Sequence, residues 1–363
     1  MPEIWVDRED YRHTKLADSV ALPLEDGQIR VRLAKYGLTA NNVSYAVSGD
    51  MIGYWKYYPV QSDDGVQWGK VPVWGLADVV ESKTDAIAVG ERIYGFFPMQ
   101  TELVMTPGKI EPSRFTDITE HRRVLPELYN GYNRTQAEPD FYRQLENERC
   151  LLFPLFATGY VLADYLADND YFGVEQILIG SVSSKTGLSL AAFLKSETNF
   201  SGQIVGLTSQ SNQAFVESIG DCDQIVTYGN ESDIDRDLKS VYVDMSGNGE
   251  LRATLHEHLQ DNMVRSISVG ATHWEERRVA IDLPGAKPEF FFAPAHIGKR
   301  EADWGPGVLF QKAYAAGGIL AKRISDSLSV ETIYGAEAAR DIWVKMLDNQ
   351  VSPKRGIIVS LEA

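Results

Sequence analysis

Between Ile177 and Leu194 the chain reads ILIGSVSSKTGLSLAAFL: an apolar run, a short polar turn and an apolar-periodic segment. The turn contains Ser181, Ser183, Ser184, Lys185, Thr186 and Gly187. Hydroxyls, an ammonium and the unpaired N–H groups of a helix start can hold a phosphate, because that end of a helix carries partial positive charge. The spacing excludes one kind of phosphate loop. Gly-x-x-x-x-Gly-Lys-Ser/Thr would match Lys185-Thr186, but it needs glycine at Ile179 and Ser184. A dinucleotide fingerprint fits in register, with Ser181 and Ser183, or Ser181 and Ser184, standing for its first glycines. Gly187 then stands where helix and strand pack closely. Serine is small enough to admit a pyrophosphate and adds donors. The same serines also suit an ordinary helix N-cap, so the loop alone leaves both readings open.

The next strand narrows the choice. GQIVGLTSQSNQAF closes on Thr208, Ser209, Ser211 and Asn212. An acid at this place holds the ribose 2′-OH of NAD, and its absence leaves room for a 2′-phosphate. With neutral donors only, the reading is NADP(H) rather than NAD; the alternative is a polar loop capping a helix.

The elements around these residues follow from periodicity. Up to about Gly108 the chain is strand-like, with QIRVRLAKYGL, VPVWGLADVVES and RIYGFFPM separated by turn residues. Residues 116–148 are polar and rich in Arg, Asn, Tyr and Pro, and read as a loop-and-helix insertion of the kind that covers a binding site. From Cys150 onward apolar β-branched runs alternate with helical patterns, as in a parallel sheet covered on both faces. The expected organisation is residues 1–150 with 326–363 as one domain and 151–325 as a doubly wound dinucleotide-binding domain.

Composition narrows the function classes. Among 363 residues the net charge is -16, a field that repels nucleic acid and anionic lipid surfaces. No apolar run reaches membrane-spanning length, and the polar start MPEIWVDREDYRHTK is unlike a signal peptide. Two cysteines, Cys150 and Cys222, read as structural thiols in a cytoplasmic protein. The partner expected is a small-molecule substrate, with no nucleic acid and no membrane.

The order of these regions resembles the medium-chain dehydrogenase/reductase superfamily over nearly the whole length. The carriers are GQIRVRLAKYGLTANNVSYAVSG, VPVWGLADVVES followed by VGERIYGFF, FPLFATGYVLADYL and the closing KRGIIVSL. NNVSYAVSGDMIGYW with PVWG, YGFFPM and FFAP is similar to a subgroup of unknown function. The resemblance implies an α/β fold: a GroES-like β-barrel domain plus a Rossmann-type doubly wound parallel sheet. Departures from the zinc enzymes imply a zinc-independent member. Thr39 stands where a cysteine is usual, VWGL replaces Gly-His-Glu, and the four-cysteine lobe is absent.

Zinc-free members similar to quinone and enoyl reductases transfer hydride from NADPH to a conjugated alkene. They must hold the nicotinamide against the β-carbon, stabilise enolate charge and supply a proton. By position, Asn42, Tyr45 and Tyr54 are the implied catalytic residues, with Tyr57 beside them; the alternative is that YWKYYP packs the barrel. Thr158, Gly270, Ala271 and the backbone from Phe292 to Pro294 are implied to meet the nicotinamide. Lys299 and Arg300, beside His296, suit an acidic substrate group or a solvated basic spot. Tyr129, Asn130, Tyr132, Asn133 and Arg134 suit a substrate cover or a subunit contact. A homodimer is expected through the apolar edge EFFFAPA. Ketone or aldehyde reduction, a non-redox lyase, or NADP(H) binding without turnover are the competing functions.

Overall fold

The computed structural model describes residues 1–269 and 283–361. They form two compact units, Met1–Leu151 with Val330–Ala363, and Leu152–Ser329. The chain opens with β1 (Pro2–Asp7), β2 (Thr14–Asp18) and β3 (Ile29–Leu38), then the helices α1 (Ala40–Val47) and α2 (Gly49–Ile52). Strands β4 (Trp68–Gly69), β5 (Pro72–Ser82), β6 (Arg92–Pro98), β7 (Glu102–Met105), β8 (Pro107–Gly108), β9 (Arg114–Asp117) and β10 (Gly131–Arg134) follow, with α3 (Asp140–Gln144) and α4 (Glu146–Leu151).

The second unit runs through α5 (Phe153–Asp168), β11 (Gln176–Gly180), α6 (Lys185–Ser196), β12 (Gln203–Thr208), α7 (Gln213–Ile219) and β13 (Gln224–Thr227). It continues with β14 (Ser240–Asp244), α8 (Gly249–Leu259), β15 (Met263–Ser268), β16 (Pro288–Phe290), α9 (Ala293–Trp304) and α10 (Val308–Ile324). The chain then returns to the first unit in β17 (Ser329–Tyr334), α11 (Ala336–Leu347) and β18 (Arg355–Ser360).

In the first unit the large sheet has the order β17-β18-β3-β5-β6-β10-β9-β8, with β7 also paired to β3. In β3, Ile29, Val31 and Leu33 are buried apolar residues, and the intervening Arg30, also buried, and the exposed Arg32 pair across the sheet with Glu81 and Glu102.

In the second unit the described strands are all parallel in the order β13-β12-β11-β14-β15-β16. All five residues of β11 are buried, as expected of a strand covered on both faces. α5 packs on α6 and α10. Each fully buried Leu or Ile there contributes about 1.5–3 kcal/mol. The order reverses direction at β11 and β14, and the crevice beyond their C-terminal ends is where such sheets bind ligands.

Three segments differ from expectation. Residues 40–52, read within a strand-like region, are helical, because Thr39 and Asn42 form a capping box that starts α1. The 116–148 segment is partly sheet: β10 pairs with β9 and β6, and Tyr132 is buried within it. A four-residue strand with one buried side chain is too short to show a period. In EFFFAPA the strand stops at Phe290 and a helix begins at Ala293, with Pro294 in its first turn, where proline's missing N–H costs nothing. β16 is nevertheless the exposed edge of its sheet.

One buried group makes the second unit's stability depend on pH. His256, fully buried, bonds the Pro284 carbonyl through Nδ1 (2.8 Å) and the Ser266 hydroxyl through Nε2 (2.9 Å). The carbonyl can only accept, so Nδ1 carries the proton of the neutral ring. Burial pushes this imidazole below its ordinary 6.5. The unfolded chain therefore takes up a proton first as pH falls, and stability is lost below about 6.5. The contribution of His256 to the slope is at most about 1.4 kcal/mol per pH unit, and His256→Gln should lower the slope by that contribution. Urea unfolding of both proteins at several pH values between 7.5 and 5.5 checks this. Equal slopes would remove His256 as the cause.

Candidate functional site

The polar turn of the second unit begins where β11 ends. Ser181 adopts φ +52°, the left-handed region that glycine usually supplies and that costs other residues roughly 1–2 kcal/mol. The turn closes with Ser184 N–H donating to the Ser181 carbonyl (2.9 Å), and Val182 N–H bonds Leu207 O on β12 (2.9 Å). Ser184 is the N-cap of α6, its hydroxyl accepting from Gly187 N–H at 3.1 Å. A Cβ on Gly187 would lie 2.8 Å from the Ser181 carbonyl oxygen and from Val182 Cα, so only glycine lets helix and turn approach this closely. The two open readings of the serines thus coexist: Ser184 caps the helix, and Ser181 makes the glycine-like turn.

Lys185 and Thr186 occupy the first turn of α6. Burial lowers the Lys185 ammonium to about 8. Asn212 donates to the Ser183 hydroxyl at 3.4 Å, which ties the end of β12 to the loop. Ser209 and Ser211 share a hydrogen bond of 3.0 Å beside it. Thr208 does not join them: its side chain is fully buried, and its hydroxyl has no partner among the described residues. Thr158 donates to the Pro154 carbonyl one turn back along α5. Phe292 is the N-cap residue of α9, half exposed, with Pro294 in the first turn. Gly270 and Ala271 lie outside the described residues.

The structure adds groups that the sequence reading passed over. Tyr228, just after β13, brings its hydroxyl beside both the side chain and the backbone of Ser181. Asp244, buried at the end of β14, accepts from Ser246 N–H (3.0 Å) and Gly247 N–H (2.8 Å), and burial raises its carboxyl. It shapes the turn into α8, whose N-cap Asn248 accepts from Leu251 N–H. A Tyr directly after a short strand and an Asp closing an apolar strand are the signals that mark them. Lys299 and Arg300 are not free cations: Arg300 is bidentate to Asp164, and Lys299 bonds Asp168 and Asp303. His296 completes this network at 2.6 Å from Asp164.

In the first unit the expected catalytic residues are gathered in an aromatic cluster. Tyr45 on α1 and Tyr54 lie 4.6 Å apart by ring centroids, and both pack on Phe96. Trp74 on β5 donates from its indole N–H to the Tyr45 hydroxyl at 3.0 Å. The Tyr54 and Tyr129 hydroxyls are 2.9 Å apart. Burial raises the Tyr45 and Tyr54 phenols well above the ordinary range, so both stay protonated. Asn42 stands apart from them chemically. Its Oδ1 accepts from Thr39 N–H (2.7 Å) and its Nδ2 donates to the Pro72 carbonyl (2.8 Å), so the buried amide serves the helix start. Tyr132, Asn130 and Arg134 are likewise engaged within the unit, by Arg122 and Glu91.

Among the described residues, no three His, Cys, Asp or Glu side chains gather as a metal would need, and no helix is long and apolar enough to cross a membrane. Several solved structures share the fold. CurA from Vibrio vulnificus, in complex with NADPH, is 12% identical over 100% of both chains, with a TM-score of 0.61. The YhdH oxidoreductase from Salmonella enterica, in complex with NADP, is 10% identical over 100% of both chains, at 0.54. The quinone oxidoreductase from Coxiella burnetii is 12% identical over 99% of this chain and 98% of its own, also at 0.54. The fold is therefore the GroES-like plus Rossmann-type architecture of these proteins. No curated protein matches the chain. The sequence pattern of one family, described as "Protein of unknown function (DUF2855)", matches residues 36–352, and the chain belongs to that family.

Proposed function

We propose that this protein is a zinc-independent, NADPH-dependent oxidoreductase of the medium-chain dehydrogenase/reductase type, acting on an activated alkene, a quinone or a related carbonyl compound. The loop from β11 to α6 carries the reading. A serine held in the conformation of a glycine, a glycine that cannot bear a Cβ and a capped helix start together form a cradle fit for a pyrophosphate. Similar folds named with NADPH or NADP support it.

When bound, NADPH supplies the hydride. Ser181, Ser183, Ser184, Lys185, Thr186 and Gly187 would hold its pyrophosphate. Ser209, Ser211 and Asn212, with Tyr228, would take the 2′-phosphate. Thr158 and the backbone at Phe292 and Pro294, with Gly270 and Ala271, would orient the nicotinamide. Tyr54 holds a proton that it can donate, with Tyr129 as the hydroxyl behind it. Tyr45, fixed by Trp74, can donate to a carbonyl oxygen.

Titrating the protein with NADPH and NADH by nucleotide fluorescence tests the cofactor: tight NADPH and weak NADH binding are expected, and binding of neither would overturn it. Tyr54→Phe is expected to lower kcat for quinone or enone reduction about 100-fold while leaving the NADPH Kd unchanged. An unchanged kcat would remove Tyr54 from the chemistry.

A second reading is NADP(H) binding without turnover. It is favoured by the burial of the two tyrosines, which are only 7% and 6% exposed. NADPH that binds but is not oxidised with any quinone, enone or aldehyde offered would establish it. We also place the protein in the cytoplasm as a homodimer. The exposed β16 edge supports the dimer, since its unpaired backbone groups invite a second copy. Light scattering that gives a monomer mass would refute it.

A further inference from the structure

Tyr54 is only 6% exposed, and its ring is enclosed by those of Tyr45, Tyr129 and Phe96, at centroid distances of 4.6, 5.4 and 6.3 Å. A donor enclosed in this way gives up one proton and must be recharged before it acts again. Most hydroxyls around it are committed elsewhere. Tyr45 is bonded by the Trp74 indole and the Asn41 side chain. Tyr57 donates to the Pro126 carbonyl at 3.1 Å, and Tyr132 to the Phe96 carbonyl at 2.6 Å. None of these bonds reaches Tyr54.

Among the described residues, the Tyr54 hydroxyl is bonded by Tyr129, at 2.9 Å. Each of the two hydroxyls both donates and accepts, so a proton can pass either way along this bond. Tyr129 is partly exposed, whereas Tyr54 is buried. Its place is fixed without using its hydroxyl. The Tyr129 carbonyl accepts from Arg122 Nη2 (2.9 Å) and its N–H donates to the Pro126 carbonyl (3.2 Å). The next residue, Asn130, is tied to Arg122 by both ends of its amide. The backbone thus carries the position, and the hydroxyl is left to Tyr54.

We propose that Tyr129 is a proton relay, passing protons between water and the buried Tyr54 hydroxyl and so recharging Tyr54 after each reduction; the recharging rests on the reductase reading, the relay itself does not. NADPH supplies the hydride, and the reduced substrate is left with a negative charge. The Tyr54 O–H bond breaks and its proton goes to that charge. The Tyr129 proton then moves to the Tyr54 oxygen, and water protonates Tyr129, leaving hydroxide in the solvent. Tyr129 acts through Tyr54 and needs no contact with the substrate.

The first test uses the full chain without nucleotide. Tyrosine carrying an NMR-active carbon at Cζ reports whether each hydroxyl holds hydrogen or deuterium, so hydroxyl exchange is timed in mixed light and heavy water. In the parent protein Tyr129 should exchange at least as fast as Tyr54; a slower Tyr129 would overturn the relay, with no variant needed. Tyr129→Phe, which keeps the ring, should slow Tyr54 exchange at least fivefold, while Tyr57→Phe leaves it unchanged. A hydroxyl that only shielded its neighbour would give the opposite sign, because its loss frees Tyr54, so unchanged or faster exchange overturns the proposal. The second test is turnover with menadione. Tyr129→Phe should lower kcat at least tenfold with the quinone KM and the NADPH Kd unchanged. Slower exchange with an undiminished kcat would overturn the recharging of Tyr54. Slower exchange in a protein that reduces no quinone would support the relay and remove the reductase reading instead.

Discussion

An Arg122→Ala variant is expected to lose about 3–5 kcal/mol of unfolding free energy, the loss typical of breaking a buried ion pair from one side. The Arg122 and Asp117 side chains are each only 2% exposed and meet at 2.8 Å. The guanidinium also donates from Nε to Asn130 Oδ1 (2.9 Å), from Nη1 to the Tyr132 hydroxyl (3.0 Å) and from Nη2 to the Tyr129 carbonyl (2.9 Å). It lies 5.0 Å from the ring centroid of Tyr58. Alanine removes all of this at once and leaves a carboxylate in the interior. Asp117 keeps the bonds that Thr106 and Thr119 donate to its other oxygen, but they do not supply a positive charge.

The origin of the loss can be separated from lost packing. If the stranded carboxylate dominates, Arg122→Met with Asp117→Asn should recover more than half of what Arg122→Met alone loses. Urea unfolding followed by aromatic fluorescence measures both. A loss below about 1 kcal/mol in Arg122→Ala would show that water reaches Asp117 and that the pair does little for the fold. The consequence extends to the proposed chemistry, because Arg122 holds the Tyr129 backbone and Tyr129 is the hydroxyl partner of Tyr54.

Arg122 also shows where reading a sequence stops. In TEHRRVLPE it is one charge among several and has no periodic partner. Its burial is created by strands that meet from distant parts of the chain. The second unit was far more legible, because its runs are local: QILIG, QIVGLT and SVYVD are buried parallel strands whose composition alone betrays them. The serine loop was legible as a candidate but not as a geometry, since nothing in the residue type of Ser181 announces a positive φ.

Asn42 is the opposite case. An amide three residues after a threonine is a capping pattern as readily as a catalytic one, and only the bonds to Thr39 and Pro72 separate the two. Tyr228 was passed over because the cofactor argument looks to the end of the second strand, while Tyr228 follows the third and reaches Ser181 across the sheet. Thr208 illustrates the residual ambiguity of strand ends, where a shift of one residue moves a side chain from the loop into the interior.

The loop supplies the second large effect. Gly187→Ala is expected to weaken NADPH binding at least about 100-fold, equivalent to about 2.7 kcal/mol. The added methyl would press on the Ser181 carbonyl and Val182 Cα at 2.8 Å, both backbone atoms that cannot swing aside as a side chain could. The turn must therefore shift, and with it the first-turn N–H groups on which a pyrophosphate would rest. Overpacking alone costs about 1–3 kcal/mol of stability, so the variant should be assayed well below its unfolding temperature. Ser181→Gly is the counterpart. It relieves a left-handed serine without adding an atom, and it should bind NADPH at least as well as the parent even though the hydroxyl's contact with Tyr228 is lost, because the backbone contact remains. The two variants together separate shape from stability. A loop that holds pyrophosphate requires loss of affinity in Gly187→Ala and its retention in Ser181→Gly. Unchanged affinity in a folded Gly187→Ala would mean that the nucleotide does not touch this turn, leaving the serines as a helix cap and nothing more.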